Sequence, residues 1–390
     1  MKVVKSRRMA DAIEKQLTKM GIESFLNTTV ITPVTQNEVV FKERGKILDA
    51  AVDFRRLMQS QGMLYTEDES LIGAMLVSML NESGNLNEQA PLYMNLLIKN
   101  SFVFHKGDIE ANAYYQNIHF DDVVEGDFTL GHNSYAKFEL FQCDLKEVAG
   151  MLYIPRLATF DHRFSYPAIM EKGDTWMSVT PGEIITMEKP IDEAKGKVLT
   201  LGLGMGYYTY MVSEKEVVSS VTVVEKSSEV IHLFEKYILP QFAHKDKITI
   251  VHGDAGEYLE SLSDGAYDYA FADIWWGTLD FVEYLRLKSI ARKFKKMQMR
   301  YWIGEELDFT ISMSVFKLIM ENHDGMVGEG AAIESYYQGL TDGEKFLFTL
   351  LEGEEVSTPE RIEALMKSDT LAEIIASTVC PQHHAIMNER

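Results

Sequence analysis

The chain has 390 residues, 46% of them hydrophobic and 25% charged, the make-up of an ordinary globular protein with room for two or three cores. Its 38 basic and 59 acidic residues leave a net charge of −21, which repels phosphate backbones and argues against a nucleic-acid partner. Two cysteines, Cys143 and Cys380, allow at most one bridge, which excludes a disulfide scaffold and fits a reducing, cytoplasmic setting.

Residues 1–8 are basic but lead into a polar helical pattern, not into the apolar core of a signal peptide. Residues 1–100 carry helical spacing: Ile47, Ala51, Phe54 and Leu57 are expected on one face, and Leu71, Met75 and Met79 on another. The longest apolar stretch, residues 71–80, is too short to span a bilayer, so no membrane association is expected. Residues 101–180 change to short β-like runs at 127–130, 136–141, 157–160 and 174–179, punctuated by Gly, Asn and Asp, which predicts a small antiparallel β-rich region.

From 181 to 305 the pattern alternates. Strands are predicted at 198–201, 221–224, 248–251, 267–272 and 300–303, with helices between them; the clearest helix is 228–239, stopped by Pro240. Such alternation implies βαβ units and a mostly parallel, doubly wound, Rossmann-like α/β sheet. Residues 306–390 return to helix, with Thr358-Pro359 as a cap and Thr370 with Glu373 at capping-box spacing.

Within the alternating region, Val198 to Leu201 breaks into Gly202, Gly204 and Gly206. A buried strand that runs into glycines bends sharply and lets a ligand approach bare backbone at the carboxyl edge of the sheet. Three strand-end acids accompany the loop. Glu225 stands where ribose hydroxyls are bonded in nucleotide-binding folds, Asp254 where an adenine amino group is read, and Asp273 beside the reaction zone. A nicotinamide dinucleotide is the rival ligand, but its fingerprint wants a small residue where Tyr207 stands.

The glycine loop with Glu225, Asp254 and Asp273 resembles class I S-adenosylmethionine-dependent methyltransferases, over roughly a quarter of the chain. That resemblance implies S-adenosyl-L-methionine as cofactor. Gly202, Leu203, Gly204 and Gly206 would receive its methionine part, Glu225 the ribose, and Asp254-Ala255 the adenine, with Lys226 also among the cofactor-binding residues and Asp273 at the reacting end. Residues 221–254 look most like the spermidine-synthase-like branch, although no acid stands in the glycine loop and Asp273-Ile-Trp-Trp-Gly replaces that branch's acid-rich segment.

Methyl transfer from a sulfonium needs alignment, exclusion of water and, for a protonated acceptor, a base. Asp273 is the candidate base; its alternative is to cap the next helix. Trp275 and Trp276 are candidates to enclose a planar or cationic small-molecule acceptor, and at least one of them is expected to pack in the core. Aminopropyl transfer from the decarboxylated donor and a non-catalytic cofactor-binding module remain alternatives. His383-His384 lacks companion ligands, so no metal is expected. The basic stretch from Arg286 to Arg300 reads as a solvated helix face, and the pattern leaves a homo-oligomer open.

Overall fold

The computed structural model describes residues 1–26, 46–83, 90–148, 152–327 and 331–377. It begins with a two-residue strand, β1 (Lys2–Val3), and helices α1 (Arg7–Leu26), α2 (Lys46–Ser60), α3 (Glu67–Ser83) and α4 (Ala90–Asn100). Ile47, Ala51 and Phe54 of α2 bury themselves with Leu71, Met75 and Met79 of α3 in one apolar cluster. Leu57 does not join them and stays 54% exposed. At 3.6 residues per turn it has rotated off the stripe that begins at Ile47.

The next stretch holds β2 (Phe102–Phe104), the short helix α5 (Ala113–Asn117), and strands β3 (Val123–Glu125), β4 (Phe128–Tyr135), β5 (Phe141–Val148), β6 (Leu152–Phe160), β7 (Phe164–Glu171) and β8 (Asp174–Ser178). They form two small sheets, β2-β6-β5 and β3-β4-β7-β8. Every pairing is antiparallel except the parallel β2 and β6. Residues 136–140, expected as strand, are a turn instead. Phe138 sits at φ +60°, its N–H on the Phe160 carbonyl, while the Glu139 carboxylate accepts the Ala136 N–H. That side-chain acceptor competes with ladder pairing and closes the turn.

Helix α6 (Pro181–Glu193) leads into the central sheet: β9 (Gly196–Leu201), α7 (Tyr207–Ser213), β10 (Val218–Glu225), α8 (Ser228–Leu233), β11 (Ile248–His252), α9 (Ala255–Ser261), β12 (Tyr269–Ala272), α10 (Phe281–Ala291) and β13 (Gln298–Tyr301). All five strands are parallel, in the order β11-β10-β9-β12-β13. This is the Rossmann-like α/β arrangement the alternating pattern implies, and the strand order reverses between β9 and β12. Strand residues are apolar on both faces, as a parallel sheet covered on both sides requires. Val198, Val223 and Phe271 enter the cluster shared with the β-rich region, whereas Leu199, Leu201 and Ala270 enter the cluster shared with the C-terminal helices.

The helix expected over 228–239 is α-helical only to Leu233. It then widens into a π turn (Phe234–Ile238) and a 3-10 turn (Leu239–Gln241) around Pro240. The C-terminal part contains α11 (Gly304–His323), α12 (Ala331–Gln338), α13 (Asp342–Leu350), β14 (Glu355–Val356), α14 (Pro359–Leu365) and α15 (Ser368–Ser377). β14 pairs with β1 and ties the two ends of the described chain together. Thr358 caps α14 as the sequence suggests, but α15 starts at Ser368, which leaves Thr370 inside the helix rather than at a capping box. Cys380 and His383-His384 lie outside the described residues. No helix among the described residues is long and apolar enough to cross a membrane.

Candidate active site at the sheet switch point

A hollow of about 1440 Å³ opens where the strand order reverses. Its floor is the glycine loop after β9. Gly202, Gly204 and Gly206 all have positive φ, at +93°, +52° and +73°. A Cβ on Gly202 would lie 1.9 Å from the Asp273 carbonyl oxygen, because the ends of β9 and β12 meet there. A Cβ on Gly204 would meet nothing within 4 Å. Gly204, which lines the hollow, therefore offers bare backbone to whatever binds there.

The loop is clasped from outside the sheet. The Tyr114 hydroxyl on α5 donates to the Met205 carbonyl at 2.6 Å, and the Asn112 amide donates to the Tyr207 hydroxyl at 3.0 Å. Tyr207 is buried edge-on against Tyr114. A large fixed ring thus fills the position that a dinucleotide fingerprint keeps small, which disfavours that ligand.

Glu225, Asp254 and Asp273 line this same hollow, as do Leu203, Lys226 and Ala255. Glu225 is 8% exposed; its Oε2 accepts the Leu203 N–H at 3.0 Å and its Oε1 accepts the Ser227 N–H at 2.7 Å. The carboxylate therefore shapes the loop, and its remaining lone pairs can take hydroxyl donors. Asp254 is the N-cap of α9, accepting the Glu257 N–H, and lies 3.6 Å from Arg286 and 4.0 Å from Lys226. His252 makes a local bond to the Lys226 carbonyl.

Asp273 caps no helix: α10 begins at Phe281 with Asp280 in the N-cap position, and the Asp273 carboxyl has no hydrogen-bond partner among the described residues. Burial pushes its pKa well above the ordinary carboxylate range, and the nearby charges of Glu183 and Glu225 push it further. Glu183 lines the hollow too, and burial raises its carboxyl to about 7 against the opposing hydrogen bonds from Thr180 and Ser178.

The two tryptophans separate. Trp275 is 5% exposed, packs edge-on to Tyr284, and donates its indole N–H to the Trp302 carbonyl. It borders the hollow and at the same time packs in the core, as was expected of at least one of the two tryptophans. Trp276 is 70% exposed and stacks on Trp176 of β8, which in turn packs on Phe128. These three rings form an aromatic wall of the hollow.

Four contributors escape the sequence reading. Glu183 is the N3 member of a capping box with Thr180, a Thr-x-x-Glu spacing visible ahead of α6. Arg286 belongs to the basic stretch read as solvated, yet its side chain is only 17% exposed and pairs with Asp254 and Glu283. Nothing local in the sequence marks Tyr337 and Phe346 of the C-terminal helices, which close another side of the hollow. Among the described residues no group of His, Cys, Asp and Glu is arranged to hold a metal ion.

No family model matches the chain, and no curated protein matches it. Solved structures do match. A spermidine synthase from Thermotoga maritima aligns over 41% of this chain and 59% of its own, at 14% identity and TM-score 0.28. A spermidine synthase in complex with the transition state analogue AdoDATO aligns over 42% and 59%, at 15% identity and TM-score 0.27. A precorrin 8w decarboxylase from Methanobacterium thermoautotrophicum aligns over 29% and 56%, at 23% identity and TM-score 0.24. Each match spans less than two thirds of the other protein's length, and likeness this slight carries no argument about chemistry.

Proposed function

We propose that the chain is a group-transfer enzyme that binds S-adenosyl-L-methionine at the switch point and methylates a small, cationic acceptor. The observation that carries this reading is the convergence of the bare Gly204 backbone, Glu225, Asp254 and the unpartnered Asp273 on one hollow at the carboxyl edge of a parallel sheet. The residues fit the cofactor. Gly202 to Gly206 would hold the amino-acid tail, Glu225 with Lys226 the ribose and Asp254-Ala255 the adenine. The bound donor supplies an electrophilic methyl group. This chain's part is to align the acceptor, exclude water with the Trp176–Trp276 wall, and take the acceptor's proton at the Asp273 carboxylate.

A cationic acceptor is favoured because the charged groups acting on Asp273 are both carboxylates, Glu183 and Glu225. An ammonium there would relieve their repulsion and keep Asp273 ionised. The same acidity favours a second reading, aminopropyl transfer, since a donor without its carboxylate would meet less repulsion. The basic side chains lining the hollow lie by other acids: Lys226 and Arg286 by Asp254, Lys345 by Asp342.

Incubating the protein with each donor and a panel of small amines separates the readings by product. S-adenosylhomocysteine signals methyl transfer and methylthioadenosine signals aminopropyl transfer. Product formation should vanish in Asp273→Asn with donor affinity retained. Donor binding without either product across the panel would instead support a non-catalytic module.

A further inference from the structure

Away from the hollow, five side chains form an unbroken alternation of carboxylates and imidazoles. Asp68 of α3 lies 3.3 Å from His105 Nε2, and His105 Nδ1 is 2.7 Å from Asp161. The other oxygen of Asp161 is 2.7 Å from His162 Nδ1, and His162 Nε2 is 3.1 Å from Glu110. An ionised carboxylate only accepts hydrogen bonds, and a neutral imidazole has one N–H to give. All four contacts are therefore hydrogen bonds only when both rings are imidazolium. Losing either proton leaves one carboxylate of the chain facing a ring nitrogen's lone pair.

The chain joins three parts of the fold: α3, the turn between β6 and β7, and the 105–112 connector that runs into α5. That connector ends at Asn112, which caps α5 and holds Tyr207, while Tyr114 two residues on holds the Met205 carbonyl of the glycine loop. We propose that Asp68, His105, Asp161, His162 and Glu110 form a proton-operated latch that fastens the N-terminal helices to the β-rich region and, through α5, stiffens the glycine loop.

Other charged groups around the latch are engaged locally. Asp108 accepts the His105 backbone N–H, Glu69 is paired with Lys99, Arg163 donates to Ser134, and the second oxygen of Glu110 accepts the Gly107 N–H. Phe160 and Phe164 stand edge-on to the His162 ring and carry no charge. The bonds to Asp161 and then Asp68 raise the pKa of His105 above its ordinary value. Burial pushes Asp161 up, but its bonds to His105 and His162 outweigh that and hold it low. With a raised pKa, the His105 contribution is complete below about pH 6.5 and is lost as pH rises through its higher folded value. With a lowered pKa, the Asp161 contribution is lost only as pH falls below the carboxylate range.

Hydrogen–deuterium exchange on the full chain without ligand tests this independently of any donor or acceptor, with rates corrected for intrinsic chemistry. Between about pH 6 and about pH 8.5, peptides covering 102–118 and 201–208 should exchange roughly threefold faster at the higher pH, the scale of a partly exposed charge pair. In the double variant His105→Gln, His162→Gln the rates should sit near the fast value at both pH values. A pH-independent wild-type rate would overturn the latch, and so would an equal pH response in the double variant. Acceleration confined to 102–118, with 201–208 unmoved, would overturn the link to the glycine loop. Should the double variant fail to fold, an NMR titration of wild-type His105 decides: an ordinary imidazole pKa for that ring would overturn the proposal.

Discussion

Alanine at Gly204 and at Gly202 should act in opposite ways, although the two glycines share a loop and a left-handed backbone. At Gly204 the added methyl meets nothing within 4 Å, so the fold bears only the left-handed strain, about 1–2 kcal/mol. At Gly202 the same strain is joined by a Cβ 1.9 Å from the Asp273 carbonyl oxygen, a contact that forces β9 and β12 apart. Overpacking of that kind adds about 1–3 kcal/mol, for a total of about 2–5 kcal/mol. The Gly204 methyl instead projects into the hollow, where it should raise the donor's Kd at least about tenfold, or about 1.4 kcal/mol. Urea denaturation measures the first quantity and titration calorimetry with S-adenosyl-L-methionine the second. Unchanged donor affinity in Gly204→Ala would refute the placement of the ligand on this loop. Equal stability of the two variants would refute the close approach of Gly202 to Asp273.

Glu225→Ala should weaken donor binding roughly tenfold or more in calorimetry. It should also destabilise the fold by about 1–3 kcal/mol in urea, because the Leu203 and Ser227 N–H groups both lose their acceptor. Burial raises the Glu183 carboxyl to about 7, so the folded state holds a proton that the unfolded state releases at lower pH. Wild type should therefore lose stability relative to Glu183→Gln as pH climbs from about 4.3 towards 7, and parallel denaturation midpoints across that range would contradict it. Trp275→Ala should cost about 3–5 kcal/mol in denaturation, as a buried core aromatic does. Trp276→Ala should leave stability within about 0.5 kcal/mol and raise the acceptor's KM. If Trp276→Ala left KM unchanged, the aromatic wall would have no part in acceptor binding.

The central sheet was legible because its strands are short apolar runs bounded by glycine and acid, as at Val198 to Gly202 and Val221 to Glu225. The departures, in the β-rich region, after β10 and near α15, were local competitions that periodicity does not register. Glu139 draws the Ala136 N–H away from a ladder, Ser368 starts α15 two residues before the apparent cap, and the turn widens at Phe234. The site was legible only in part. Glycines and strand-end acids are a feature of the chain's own order, so their presence could be read directly. The sorting of Trp275 into the core and Trp276 to the surface could not, since adjacent residues of a loop have no fixed period.

What the amino-acid order determined by itself was the sequence of strands and helices and the placing of a glycine loop and three acids at strand ends, because these follow from contacts between near neighbours. Only the tertiary structure decided that Glu183 would crowd Asp273, that Arg286 would turn inward to Asp254, and that Tyr114 would clasp the glycine loop. Those contacts join residues tens of positions apart, and the free energy that selects them comes from burying whole faces against one another, which no local pattern encodes.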